Sequence, residues 1–325
     1  MKRLSLALGV LGLLLGTLLI AWIGAGHVFN AVLSVGCDGL ALLGLWQMLL
    51  FGLLGLAWHT VAGARPGAER GWVFVWGRMV RDSAANCLPF SPVGGFVLGA
   101  RAVTLHGVRW PLATASTVVD VTAEVVAQLV FAVIGLCLLV SKQPDTALAV
   151  PLAVGLGLAL MAMGGFVLVQ QGAAPMFTRL GRRIAGHWFD DADERVATLQ
   201  TELSGIYAHG WRLAAAVVLH LGGWLCTGVG DWIAFQLLGI DIELSSAIAI
   251  DALLHAALAV AFVVPGNVGV QEAAYAGLGA VFGVPPDMAI GVSLLRRARD
   301  LAIGIPVLLT WQVLEMRRLR TSAHH

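Results

Sequence analysis

The sequence predicts an all-α fold: a polytopic transmembrane helix bundle of about seven spans, with two short broken or re-entrant Gly/Pro-rich segments. Three observations carry this. Of 325 residues 58% are hydrophobic and 12% charged, and mean hydropathy is +0.86. Apolar runs long enough to cross a hydrocarbon core of ~30 Å fall at 4–26, 40–64, 111–140, 146–170, 213–238, 244–264 and 288–314. Between them, 71–106 and 265–286 are too polar, or too short and too rich in Gly and Pro, to be ordinary spans. The chain reads as a single integral membrane domain, 1–325.

The elements follow in order. Leu4 to Gly26 comes after Lys2-Arg3, is longer than a signal-peptide core and lacks a small-residue cleavage site, so it reads as a retained span. Tryptophans such as Trp22, Trp72, Trp110 and Trp311 are spread along the chain as interface anchors. The 86–106 and 265–286 segments resemble each other. Pro92-Val93-Gly94-Gly95, eleven residues, then Gly107-Val108-Arg109-Trp110-Pro111 precede one apolar span. Pro265-Gly266-Asn267-Val268-Gly269, thirteen residues, then Gly283-Val284-Pro285-Pro286 precede another. Each segment is expected to be a half-helix bounded by breakers, and such pairs in the two halves of a chain point to a transporter's binding site. Chance similarity between two Gly/Pro-rich loops is the competing explanation. The two segments are expected to approach each other near the membrane midplane, because unpaired backbone must hide from lipid.

The 171–212 linker carries Arg179, Arg182, Arg183, Arg195 and Arg212, and Val196, Leu199, Leu203 and Ile206 recur at helical spacing. It reads as a cytoplasmic segment with an amphipathic helix. Lys2-Arg3, the Arg65/Arg70/Arg78/Arg81 region and Arg317/Arg318/Arg320 also favour the cytoplasm, which places both termini inside. With 244–264 counted as a span, this orientation requires 265–286 to cross.

Several function classes are excluded or unsupported. A net charge of +1 offers no nucleic-acid surface. The only lysines, Lys2 and Lys142, cannot complete a Walker-type phosphate loop. Cys37, Cys87, Cys137 and Cys226 are scattered without metal-ligand spacing. No nucleophile elbow or zinc-protease helix is present, and Asp190-Asp191-Ala192-Asp193-Glu194 fits a solvated helix start better than a metal site. No enzyme activity, cofactor or metal is expected.

What stands out is charge inside apolar runs, where each ionisable residue costs ~2.5–3.5 kcal/mol at a span's centre. Asp120 and Glu124 share a helix face in one run, as do Asp251 and His255 in another. Arg296, Arg297, Arg299 and Asp300 lie within the last, with Arg296 and Asp300 spaced as an internal pair. Asp231 lies late in its span, nearer an interface. The candidate pathway residues are Arg101, Asp120, Glu124, Asp251, His255, Pro265, Gly266, Asn267, Gly269, Glu272, Arg296, Arg297, Arg299 and Asp300. The arginines 296, 297 and 299 are expected either to balance Asp120, Glu124 or Asp251, or to meet a lipid phosphate.

The motif Val264-Pro265-Gly266-Asn267-Val268-Gly269-Val270-Gln271-Glu272-Ala273-Ala274-Tyr275 resembles the signature of a flippase-like membrane family that includes the transmembrane region of lysylphosphatidylglycerol synthases. Asn86-Cys87-Leu88-Pro89 with Gly94-Gly95 and Arg101 is similar to that family's first Gly/Pro element. The form Asn267-Val268-Gly269-Val270-Gln271-Glu272 points to the hopanoid-associated branch. The resemblance implies a bacterial inner-membrane protein that moves or presents a lipid between leaflets. It carries over no catalytic residues. Two expectations follow: a lipid flippase or transporter not driven by nucleotide, for hopanoids or a related amphiphile, or a non-catalytic scaffold for lipid-modifying enzymes. Membrane lipid and lipid-biosynthesis enzymes are the expected partners.

Overall fold

The computed structural model describes residues 25–65, 67–88, 91–144, 146–147, 150–157, 161, 192–260 and 269–321. Among these residues there is no strand. The helices are α1 (Ala25–Ala62), α2 (Gly71–Cys87), α3 (Ser91–Thr104), α4 (Trp110–Lys142), α5 (Ala192–Tyr207), α6 (Gly210–Leu237), α7 (Leu244–Val260), α8 (Val270–Val281) and α9 (Pro286–Thr321). The runs expected at 4–26 and, for the most part, 146–170 lie outside the described residues, as does the 171–191 part of the linker.

Leu33–Ala62 within α1, Trp110–Lys142 and Gly210–Leu237 are long and apolar enough to cross a membrane. Helix α9 is longer still, at 36 residues, but its buried charges lower its hydropathy.

The short helices behave differently. Helices α2, α3, α7 and α8 have 17, 14, 17 and 12 residues. At a rise of ~1.5 Å per residue they reach roughly 18–25 Å, short of a full crossing. They pair as two hairpins, α2 with α3 and α7 with α8. The described part of the run expected at 244–264 is α7, and α8, from the segment expected at 265–286, packs beside it.

The two hairpins enter from opposite faces. On one face, Arg65 and Arg109 both reach Glu202 of α5, at 2.5 and 2.8 Å, and Arg318 donates to the Leu105 carbonyl at 2.8 Å. This joins the end of α1, both ends of the α2–α3 hairpin, the start of α4 and the end of α9. On the other face, Lys142 at the end of α4 pairs with Glu243 before α7, and that hydrogen bond holds the Glu243 carboxyl below its usual range. Trp232 Nε1 donates to the Ile242 carbonyl at 3.1 Å, and Ile242, Leu278, Val284 and Ala289 share one core cluster. The α7–α8 hairpin therefore starts and ends here.

The two halves share one order of elements: a long helix, a pair of short helices and a second long helix, as α1–α4 and again as α6–α9. The match extends to backbone detail. Val108 N–H bonds to Val103 O at 3.4 Å and Val284 N–H to Gly279 O at 2.9 Å, around Gly107 and Gly283 with φ of 102° and 79°. The resemblance between Gly107-Val108 and Gly283-Val284 is the same helix-ending turn used twice.

Small residues let the hairpins close. A Cβ at Gly95 would stand 2.5 Å from Arg81 O, one at Gly99 2.8 Å from Arg81 Cβ, and one at Gly304 2.5 Å from Cys87 Sγ. Helices α2, α3 and α9 thus approach backbone to backbone, the way membrane helices gain packing where the hydrophobic effect gives none.

Candidate functional site

Two charge networks lie inside the bundle, one per half. In the first, Arg78 and Arg81 project from α2 toward Asp120 and Glu124 on α4. Arg78 donates through Nε to Asp82 at 2.8 Å and through its fork to Glu124 at 3.2 and 2.6 Å. Arg81 donates to Asp120 at 2.9 Å and also to Glu124, and its guanidinium lies 4.4 Å over the Phe96 ring. His220 of α6 completes the set, its Nε2 2.9 Å from Asp120 Oδ1. Asp120 and His220 are fully buried.

In the second, Arg296 of α9 sits between two aspartates, with Nη1 2.9 Å from Asp231 and 2.7 Å from Asp251. Tyr275 donates to Asp231 at 2.6 Å and Thr227 to Asp251 at 2.5 Å, while His255 Nδ1 lies 3.1 Å from Asp251 Oδ1. Beside it, Glu272 accepts from Arg297 Nε at 2.7 Å, from Ser293 at 3.2 Å and from Gly269 N–H at 2.8 Å. Gly269 has φ +82°, a conformation that leaves little choice but glycine, and it opens α8 so that the carboxylate caps the helix.

Helix α6 ties the networks together. His220, Trp224, Thr227 and Asp231 recur at helical spacing along it. Trp224 donates to the Glu124 carbonyl at 3.3 Å and packs edge-on to His255 with ring centroids 4.8 Å apart. One polar stripe thus runs from the first network to the second.

Several sequence expectations need correction. Asp120 and Glu124 are balanced by Arg78 and Arg81, not by Arg296, Arg297 or Arg299, and those two arginines are buried rather than cytoplasmic. Arg296 and Asp300 are not each other's partners: Arg296 serves Asp231 and Asp251, while Asp300 takes Arg299 at 2.7 Å. Asp231, late in α6, is buried at 1% exposure. Arg101 lies away from both networks, at the arginine-rich face, gripping Glu315 at 2.8–3.2 Å. Pro265, Gly266 and Asn267 lie outside the described residues. The expected pair of Asp251 with His255 is present. Both hairpins converge on α9, where Glu272 meets Arg297 and Cys87 meets the Asp300 carbonyl at 3.8 Å.

Sequence reasoning missed Arg78, Arg81, Asp82, His220 and Tyr275. The i, i+4 spacing of Arg78 and Asp82 was a usable signal, since it repeats that of Asp251 and His255. His220 had none, being a lone histidine in an apolar run.

Nothing in this geometry is peculiar to one substrate, so likeness to known proteins matters. The family model for the lysylphosphatidylglycerol synthase transmembrane region matches residues 9–307. The chain belongs to that family. Membership makes it a membrane protein related to lipid handling, and the match takes in every residue of both networks. No curated protein and no solved structure matches the chain.

Proposed function

We propose that this member of the lysylphosphatidylglycerol synthase transmembrane-region family is a lipid flippase or transporter of the bacterial inner membrane. The observation that carries the reading is the pair of re-entrant hairpins, entering from opposite faces and joined by one polar stripe on α6. Inverted repeats with broken helices place a site at the repeat interface and let one half rock against the other. The buried charges give a headgroup polar company during passage. The motif resemblance favours hopanoids or a related amphiphile as cargo. The arginine-rich face, with Arg65, Arg70, Arg109, Arg212, Arg317 and Arg318, is the cytoplasmic one by the positive-inside rule, which puts both termini inside. The protein acts without catalysis and without nucleotide, on membrane lipid, in the company of lipid-biosynthesis enzymes and not of nucleic acid.

The scaffold reading draws on one specific observation: every acid of both networks is paired, as a purely structural clamp would be. Reconstituted vesicles separate the two. The purified chain in phosphatidylglycerol-containing vesicles should speed dithionite access to inner-leaflet fluorescent phosphatidylglycerol above protein-free vesicles. Rates equal to protein-free vesicles, for that probe and for a fluorescent hopanoid alike, would favour the scaffold.

A further inference from the structure

Charge is out of balance in both networks, and by the same amount. Among the described residues the first sets Asp82, Asp120 and Glu124 against Arg78 and Arg81. The second sets Asp231 and Asp251 against Arg296 alone. The flanking pairs, Glu272 with Arg297 and Asp300 with Arg299, are neutral. Each network therefore has one carboxylate more than it has arginines, and each has one histidine touching a carboxylate: His220 on Asp120 at 2.9 Å and His255 on Asp251 at 3.1 Å.

A net charge held among helices in a membrane is expensive, whereas one proton per network brings each to neutrality. Imidazole is a side chain that can take up that proton and release it. The groups around each histidine fit this role. His220 faces Asp120 and Glu124 from α4, with Arg78, Arg81 and Asp82 behind them on α2. His255 faces Asp251 on its own helix, with Asp231 of α6, Tyr275 of α8 and Arg296 of α9 beyond it. His220 also has a fully buried Nδ1 with no hydrogen-bond partner. A proton can enter or leave by that atom without breaking the bond to Asp120.

The two sites stand at matching offsets in the two halves. Arg78 stands seven residues past Gly71, and Asp251 seven past Leu244; Asp82 and His255 each stand four further on. Asp120 stands ten past Trp110, and Arg296 ten past Pro286. Each half thus places a charged hairpin arm against a charged long helix, with the signs reversed.

We propose that each half of the molecule holds one exchangeable proton, in the His220–Asp120 pair and the His255–Asp251 pair, and that these protons are coupled to lipid movement. The coupling rests on the transport reading; the proton sites do not.

Solid-state NMR of the full chain in phosphatidylglycerol vesicles, with ¹⁵N-histidine and ¹³C-aspartate labels, tests the sites directly. These two pairs are the His–Asp contacts of the described residues, so nitrogen–carboxyl proximity selects them without a substitution that could unfold the protein. The expected result is one extra proton in both pairs at the acidic end of a pH series, as imidazolium or carboxylic acid, and its loss from both at the alkaline end. A neutral imidazole beside an ionised carboxylate in both pairs at every pH, or an extra proton that never leaves, overturns the sites. For the coupling, trace fluorescent phosphatidylglycerol is followed under an imposed gradient of one pH unit. Two coupled protons set a ceiling of about 100-fold on its leaflet ratio and one of about 10-fold. Lipid flux whose leaflet ratio ignores the gradient overturns the coupling. Titrating pairs with no flux at all support the sites and overturn the coupling and the transport reading together.

Discussion

Arg296 carries more than any other side chain in the molecule. Its Nη1 lies within hydrogen-bond distance of Asp231, Asp251 and Tyr275 at once. Removing it leaves two buried aspartates without their cation, and breaking a buried pair costs ~3–5 kcal/mol. Arg296→Met should therefore lower the thermal midpoint of the detergent-purified protein sharply, while Arg101→Met, whose arginine is one-third exposed, should change it little. Equal losses would show that the buried network has no special weight. Glu272→Gln is the complementary case. The amide oxygen can still accept from Gly269 N–H, so folded yield should stay near the parent's, but the charge that faces Arg297 is gone. Lipid movement in vesicles should fall; movement at the parent rate would reduce Glu272 to a helix cap. The sequence showed which acids share a helix face, because i, i+4 spacing is written along the chain. It could not show their partners, because which arginine meets Asp120 depends on how α2 packs against α4. Arg78 and Arg81 looked like loop charges since α2 is only 17 residues long and half polar.

At the scale of elements, the hairpins depend on glycine. Gly95 and Gly99 form one small stripe on α3, and both press against Arg81 of α2. Gly99→Leu has no room there, and overpacking costs ~1–3 kcal/mol. It should also tilt Arg81 away from Asp120, so the variant should lose lipid movement at a temperature where its helix content by circular dichroism is still the parent's. Gly44→Leu, with nothing within 4 Å of its Cβ position, is the control and should match the parent in both measurements. Loss in both variants would point to general intolerance of α-helical bulk. The breakers made these segments legible: Pro265, Gly269 and Gly283 announce interrupted helices on their own. What stayed hidden was that the apolar run from Leu244 packs beside the short helix after the break. Hydropathy measures how apolar a run is, and a helix of 17 residues shielded by α4, α6 and α8 is as apolar as a true span.

At the scale of the whole molecule, the proposed inversion of the halves predicts where the chain is reachable from water. Glu69 and Arg109 bracket the first hairpin, while Asp241 and Asp287 bracket the second, and all four are exposed. A hairpin that returns must leave both of its bracketing residues on one side. On the proposed orientation the first pair lies opposite the second and is cytoplasmic. Single cysteines at these four positions, in a chain whose Cys37, Cys87, Cys137 and Cys226 are replaced by alanine, can be read with a membrane-impermeant maleimide on cells and on inside-out vesicles. Glu69→Cys and Arg109→Cys should label in inside-out vesicles, Asp241→Cys and Asp287→Cys on cells whose outer envelope has been opened. Labelling of Asp241→Cys and Asp287→Cys from opposite sides would mean that the second segment crosses the membrane. The two halves would then share a direction, α9 would run the wrong way, and Arg296 would have no route to Asp251.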